Sequence, residues 1–349
     1  MTAIPRAGSG TWTEVGAHVV ADGVYRIPLP LPDDGLRAVN VYAIEDGDEL
    51  VLVDGGWSLP ESLAEFERSL AGIGRDPTDV REILVTHTHR DHYTQAVELR
   101  RRYGAQVLLS AGERDALRAF REAGTGAPTA SLTRLRAAGA GGLADQILAL
   151  GRWGGYRAED WELPDRWVNA GEVALATRTL TAIPTPGHTK GHMVFLDASA
   201  GLMFTGDHVL PHITPSIGFE LTPSALPLGE FLDSLRLVAG YPDARLLPAH
   251  GPVTDSVHTR VGELLAHHDV RLGEAADAIG RGATDAYEAA QLLTWTRHGT
   301  PFGELNLFNQ MLAVLETAAH LNLLVHRGEL ELSTVDGTVY YRAVQPPST

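Results

Sequence analysis

The sequence contains no cysteine. That absence excludes a disulfide scaffold, a thiolate nucleophile and any zinc or iron–sulfur site built on sulfur. A transition metal in this chain must therefore be held by histidine and carboxylate. Lysine is almost missing as well: among 28 basic residues Lys190 is the single lysine and the rest are arginine, a bias read here as base composition rather than function. Positive charge is scarce overall, since 44 acidic residues leave a formal net charge of −16. A nucleic-acid partner is disfavoured on that balance, because phosphate neutralisation by basic patches supplies most of such affinity. No run of about eighteen apolar residues occurs, so no membrane span is expected, and residues 1–15 hold no apolar stretch resembling a signal-peptide core. A cytoplasmic protein without membrane contacts is the expectation. What is present suffices for one large domain or two ordinary ones, with 44% of the 349 residues hydrophobic.

Along the first half, short strand patterns alternate with helical ones, which predicts a layered α/β or α+β fold rather than a bundle. Strands are expected at Tyr25 to Leu29, Val41 to Ile44, Leu50 to Val53, Ile83 to Val85 and Gln106 to Leu109, and helices at Leu59 to Ala71 and Gln95 to Tyr103. Residues 110–167 differ in texture, with helical stretches, Gly/Ala breaks and an aromatic cluster of Trp153, Tyr156, Trp161 and Trp167. Strand signals resume at Leu180 to Pro184, Met193 to Leu196, Leu202 to Thr205 and Arg245 to Leu247. From Asp255 the pattern becomes helical over Ser256 to Ala278, Asp285 to Thr296 and Leu305 to Leu324. It closes with strands at Leu330 to Leu332 and Val339 to Arg342 around an Asp336-Gly337 turn. Three helices and a hairpin outline a winged helix.

The segment Thr86-His87-Thr88-His89-Arg90-Asp91-His92 carries the strongest chemical signal. Three imidazoles and a carboxylate fall within six residues, just past a buried strand, and His nitrogen with Asp oxygen suits Zn²⁺, Fe or Mn when no thiolate exists. A solvated polar loop is the bland alternative, and ligand spacing of this kind weighs against it. Further candidates stand beside glycine at the ends of expected strands: His188 in Pro186-Gly187-His188, Asp207 in Gly206-Asp207-His208 and His250 in His250-Gly251. The repeated placement suggests that one edge of the sheets gathers them around a single pocket.

In this order the segments resemble the metallo-β-lactamase superfamily, whose signature runs H-x-H-x-D-H and then a distant His, Asp and His. The resemblance covers about residues 20–255 and fills every position of the pattern. It implies an α+β fold, an αββα sandwich with a helical lid inserted at about 110–167, as a catalytic domain over residues 1–254. A winged-helix-like domain would follow at 255–349. Carried over by position, His87, His89 and His188 would bind one divalent ion and Asp91, His92 and His250 a second, with Asp207 bridging both and Asp54 orienting the ligand loop. Zinc is the first choice of metal, with iron or manganese as alternatives. Two such ions can share a water and lower its pKa toward neutrality, giving a bridging hydroxide as nucleophile. Asp91 would orient it and pass its proton to the leaving group.

Other residues near the signature carry less weight. Tyr93, Lys190, His208 and His212 are candidate substrate contacts, although core packing for Tyr93 and solvated positions for the others are at least as ordinary. His192 is expected to pack behind His188, and His267 and His268 to lie on a helix face. The apolar insertion suits an acyl chain, with packing against the domain as the even alternative. The expected function is hydrolysis of an acyl thioester or ester, of acyl-CoA, acyl-glutathione or lactone type. The rival is a phosphodiesterase or ribonuclease of the same fold. The C-terminal segment weighs against that rival, since from Asp255 onward twelve acidic residues face six arginines. A structural or homodimer-forming role is expected for it instead.

Overall fold

A computed structural model describes residues 11–32, 35–123, 129–151, 157–296 and 298–344. Trp153 and Tyr156 of the aromatic cluster lie outside the described residues. The first sheet runs in chain order, β1 (His18–Ala21), β2 (Val24–Pro30), β3 (Ala38–Asp46), β4 (Glu49–Val53), β5 (Val80–Val85), β6 (Gln106–Ser110) and β7 (Arg166–Val168). It is antiparallel up to β4 and parallel from β4 onward. The second has the order β12-β11-β10-β9-β8, formed by β8 (Gly171–Ala174), β9 (Thr179–Pro184), β10 (Met193–Asp197), β11 (Leu202–Gly206) and β12 (Arg245–Pro248).

Side chains alternate across a strand, and that period of two builds the layers. In β4, Val51 and Val53 join an inner core between the sheets, whereas Leu50 and Leu52 join an outer core. In β10, Met193 and Phe195 point inward and Val194 and Leu196 outward. Helices α1 (Pro60–Gly72), α2 (Arg90–Tyr103) and α3 (Arg114–Ala123) cover the outside of the first sheet through residues such as Phe66, Val97 and Leu117. The second sheet is covered by α4 (Thr129–Ala137), α5 (Gly141–Ala149), α6 (Pro227–Ala239) and α7 (Val257–Gly280), with α8 (Ala286–Leu292) and α9 (Leu307–His326) in the same apolar cluster. The result is the expected αββα sandwich.

The C-terminal segment has the three helices anticipated, a short ribbon β13 (Thr294–Trp295) with β14 (Thr300–Pro301), and the hairpin β15 (Leu330–Val335) with β16 (Thr338–Ala343). Its buried residues Leu264, Val314 and Leu324 belong to one continuous core with Phe231 and Leu235 of α6 and Met203 of β11. Three local expectations need correction. The helix predicted over Asp285 to Thr296 stops at Leu292, because Leu293 turns extended (φ −97°, ψ 158°) and Thr294–Trp295 pair as a strand. Helix α6 was not foreseen, though Pro227 at its first turn marks the start. Helix α2 begins at Arg90 rather than Gln95, so Asp91 and His92 stand in its first turn rather than in a loop. Among the described residues no helix is long and apolar enough to cross a membrane.

The insertion is divided between the two outer layers. Trp161 stacks on Phe120 of α3 with ring centroids 4.1 Å apart, over the first sheet. The apolar faces of α4 and α5, through Leu132, Leu135, Leu143 and Ile147, are buried in the core of the second sheet and α9. Of the two readings of these apolar residues, packing against the domain is the one found.

Candidate metal centre

The C-terminal ends of β5, β9, β11 and β12 meet at one edge of the sandwich, and each delivers a ligand candidate. After β5 the chain passes through Thr86, His87 and Thr88 to His89, which caps α2. Asp54, just past β4, anchors this turn: the Thr86 N–H donates to Asp54 Oδ1 at 2.8 Å, and the His92 Nδ1–H donates to Oδ2 at 2.8 Å. Asp54 itself has φ 63°, a left-handed conformation costly for a non-glycine residue and characteristic of over-determined functional positions. Behind Asp207, Gly206 is required for space, since a Cβ there would lie 2.7 Å from both His192 Nε2 and Thr86 Oγ1. His192 sits behind the site as expected: it accepts the Asp207 N–H at Nε2 and bonds Thr185 through Nδ1.

The far nitrogens are fixed by acceptors. His188 Nδ1 lies 2.9 Å from the Ser216 carbonyl and His250 Nδ1 lies 2.8 Å from the Ala38 carbonyl. A carbonyl can only accept, so both Nδ1 atoms carry a proton, and Nε2 is the nitrogen each ring turns to the site. The Asp54 carboxylate imposes the same tautomer on His92. The inward atoms then form two groups within metal-ligand reach, His87, His89, His188 and Asp207 in one and Asp91, His92 and His250 in the other. His250 Nε2 lies 3.3 Å from Asp91 Oδ2 and 3.4 Å from Asp207 Oδ1, and His188 Nε2 lies 3.5 Å from Asp207 Oδ2. Asp207 thus faces both groups.

Four of these inward atoms, His87 Nε2, His92 Nε2, His250 Nε2 and Asp207 Oδ1, are buried without a hydrogen-bond partner. Buried polar atoms are almost always partnered, and leaving one unmet costs about 1–3 kcal/mol. Four converging orphans fit a cationic ligand. Electrostatics agree. Burial raises the Asp207 carboxyl, but His250 and His92 outweigh it and hold the group well below the usual carboxylate range. Burial and the neighbouring rings of His92, His89 and His188 push His87 well below its ordinary value, leaving it neutral. Asp91 and His89 are the least buried members, so the centre opens on their side.

The secondary candidates are placed as follows. Tyr93 is corrected to a core residue, fully buried, with its hydroxyl donating to the Glu162 carbonyl and its ring stacked near Trp161. His208 is also fully buried, between His192 and Phe231, so it does not face solvent. His212 and Lys190 are exposed, and the Lys190 ammonium lies 3.4 Å from Asp115. Sequence reasoning passed over Glu113, which follows β6 beside Gly112 as His188 follows β9 beside Gly187. The strand-end rule applied to β6 would have found it.

The profile of the Metallo-beta-lactamase superfamily matches residues 34–250. Among curated proteins, the lactamase-like protein nscB of Aspergillus fumigatus is 27% identical over 241 residues, which is 68% of this chain and 55% of that protein. The atrochrysone carboxyl ACP thioesterase of the same species is 25% identical over 236 residues, 67% of this chain and 43% of that one. The chain spans about half the length of the curated relatives it matches. A solved structure of a beta-lactamase domain protein from Burkholderia ambifaria is similar with a TM-score of 0.74 and 26% identity, over 98% of this chain and 97% of that chain.

Proposed function

The chain belongs to the metallo-β-lactamase superfamily, and from that premise we propose that it is a dinuclear metal-dependent hydrolase of acyl thioesters or esters. The observation that carries the reading is the gathering of unpartnered buried atoms of His87, His92, His250 and Asp207 into two adjoining ligand groups. In this reading His87, His89 and His188 hold one divalent ion and Asp91, His92 and His250 the other, with Asp207 between them. A nitrogen and oxygen donor set without sulfur suits zinc first, then iron or manganese. When bound, such a pair supplies Lewis acidity, making water nucleophilic near neutral pH and polarising the carbonyl under attack.

The protein's own groups have separate tasks. Asp54 fixes the tautomer and ring plane of His92, and the Ser216 and Ala38 carbonyls do the same for His188 and His250. In this reading Asp91, on the open side and 3.3 Å from His250 Nε2, orients the attacking water and relays its proton to the departing thiol or alcohol. A thioester is favoured over other acyl groups by the relative named as an acyl-carrier thioesterase. The insertion lends this no support, because the buried apolar residues of α4 and α5 are used in packing.

The test is thiol release from a panel of acyl-CoA and acyl-glutathione thioesters, followed with a thiol-reactive dye. The chain contributes no background because it has no cysteine. Release that stops with chelator and returns with metal is expected. Silence across the panel from metal-loaded protein would overturn the thioester reading and move the search to lactones and then RNA.

A further inference from the structure

The mechanism leaves one fully buried carboxylate beside the site without a task. Glu113 has no exposed surface, and both of its oxygens are engaged. Oε2 accepts the Thr88 hydroxyl at 2.5 Å, and Oε1 accepts the hydroxyl of Thr189. Thr88 stands between His87 and His89, and Thr189 directly follows His188. These three histidines belong to one ligand group but come from different sheets, the first two after β5 and the third after β9. Glu113 is therefore clamped to both halves of that group, and it makes no such contact with Asp91, His92 or His250.

The backbone shows that this approach is close. A Cβ on Gly191 would lie 2.3 Å from the Glu113 amide nitrogen, and one on Gly112 would lie 2.7 Å from Gly191 Cα. The His188 loop thus lies directly on the Gly112–Glu113 turn, where only glycine allows contact. A second carboxylate, Glu220, accepts the Lys190 N–H at 3.0 Å, but it holds the His188 loop alone. Removing an ion-sized group from water is expensive, so a carboxylate is retained at such a position only when its hydrogen bonds repay the desolvation.

We propose that Glu113 is a positioning residue that fixes the distance between the His87–His89 loop and the His188 loop and thereby sets the affinity of that metal position alone. The inference rests on the two-metal reading of the site. Glu113 reaches neither substrate nor metal; it acts through the two threonines.

The test uses the full-length protein stripped of metal, titrated with Co²⁺ against a chromophoric chelator, with the cobalt visible spectrum recorded at each step. Wild type is expected to take up two ions per chain, and uptake of none would sink the two-metal reading before Glu113 is in question. In Glu113→Ala one of the two ions is expected to bind 10–100-fold more weakly, the range typical for groups that orient metal ligands, with a changed spectrum. The other ion should stay within about threefold of wild type. Glu113→Gln should recover most of the loss, because a threonine hydroxyl can accept from the amide as readily as it donates to the carboxylate. If Glu113→Ala does not fold, Thr88→Val and Thr189→Val each remove one arm with little change of shape and should weaken the same ion. Two ions bound at wild-type affinity in these variants would overturn the proposal. So would equal weakening of both ions with no recovery in Glu113→Gln, the pattern of a merely structural carboxylate.

Discussion

Two groups of buried histidines are built from the same side chains to different ends. In one are His87, His92, His188 and His250 of the candidate metal centre; in the other are His268 of α7 and His320 of α9, both buried. In the second cluster the rings satisfy each other: His268 Nδ1 lies 3.1 Å from His320 Nε2, and His320 Nδ1 donates to the Glu316 carbonyl at 2.8 Å. A single nitrogen, His268 Nε2, is left without a partner there, against four convergent orphan atoms in the metal centre. Burial lowers His268 to about 2 and His320 to about 4, so neither is charged near neutrality. The lesson is that buried histidine does not by itself make a site. Lone pairs aimed at a common point, with the opposite nitrogens tied down, do.

The comparison can be broken most forcefully at Asp207. Asp207→Ala should abolish uptake of the second ion and lower hydrolysis on the order of a thousandfold, the scale of losing a charge-stabilising group. Metal counting by atomic emission and a rate assay check it, and full activity would end the site assignment. Next in size is Phe231, whose ring neighbours His208 beside the first group and His268 of the second. Phe231 is fully buried, its ring centroid 5.1 Å from His208 and 5.5 Å from His268, and Phe231→Ala should cost about 3–5 kcal/mol in denaturant unfolding. Its metal content should survive; loss of both ions would mean that the two clusters are one unit.

Glu220 sharpens the electrostatic side of the contrast. Burial, with Glu113 adding to it, raises its carboxyl from an ordinary 4.5 to about 8. Because the folded value is the raised one, this group's stability contribution is complete below about 4.5 and is lost as pH climbs to about 8. Glu220→Gln escapes that loss and should exceed wild type in stability by an amount that grows over this window and then levels off, on the order of 3 kcal/mol. Urea unfolding at pH 5 and pH 8 measures it, and a difference independent of pH would refute it. The smallest effect is expected from His268→Leu. Trading a half-satisfied neutral imidazole for an apolar side chain, at the cost of one partner for His320, should shift stability by no more than about 1.5 kcal/mol. Metal content should be unchanged, and a lost ion would erase the distinction between the clusters.

How much of this was legible beforehand depends on the range over which each feature is encoded. Most strands read correctly because the alternation that makes Leu50 and Val51 face different cores is local. The error at Leu293 came from a helical pattern continuing into β-forming Thr294 and Trp295, where a short hairpin with Thr300–Pro301 overrode it. The Nδ1–H groups held by the carbonyls of Ser216 and Ala38 left no side-chain trace in the sequence, since any residue offers a carbonyl. Glu113 left a trace that was not followed.

The sequence alone determined the chemistry and the layers: no sulfur ligands, histidines and aspartates placed after strands, and a period of two that sends residues to inner and outer cores. Only the tertiary structure decided which backbone carbonyls tie down those histidines, that Tyr93 and His208 are shut inside, and that α7 and α9 close the same core as α6. Convergence is a property of strand ends brought together from residues as much as 212 positions apart, as when His250 finds the Ala38 carbonyl. Local pattern cannot specify such meetings, because they are fixed by the packing of two sheets against each other.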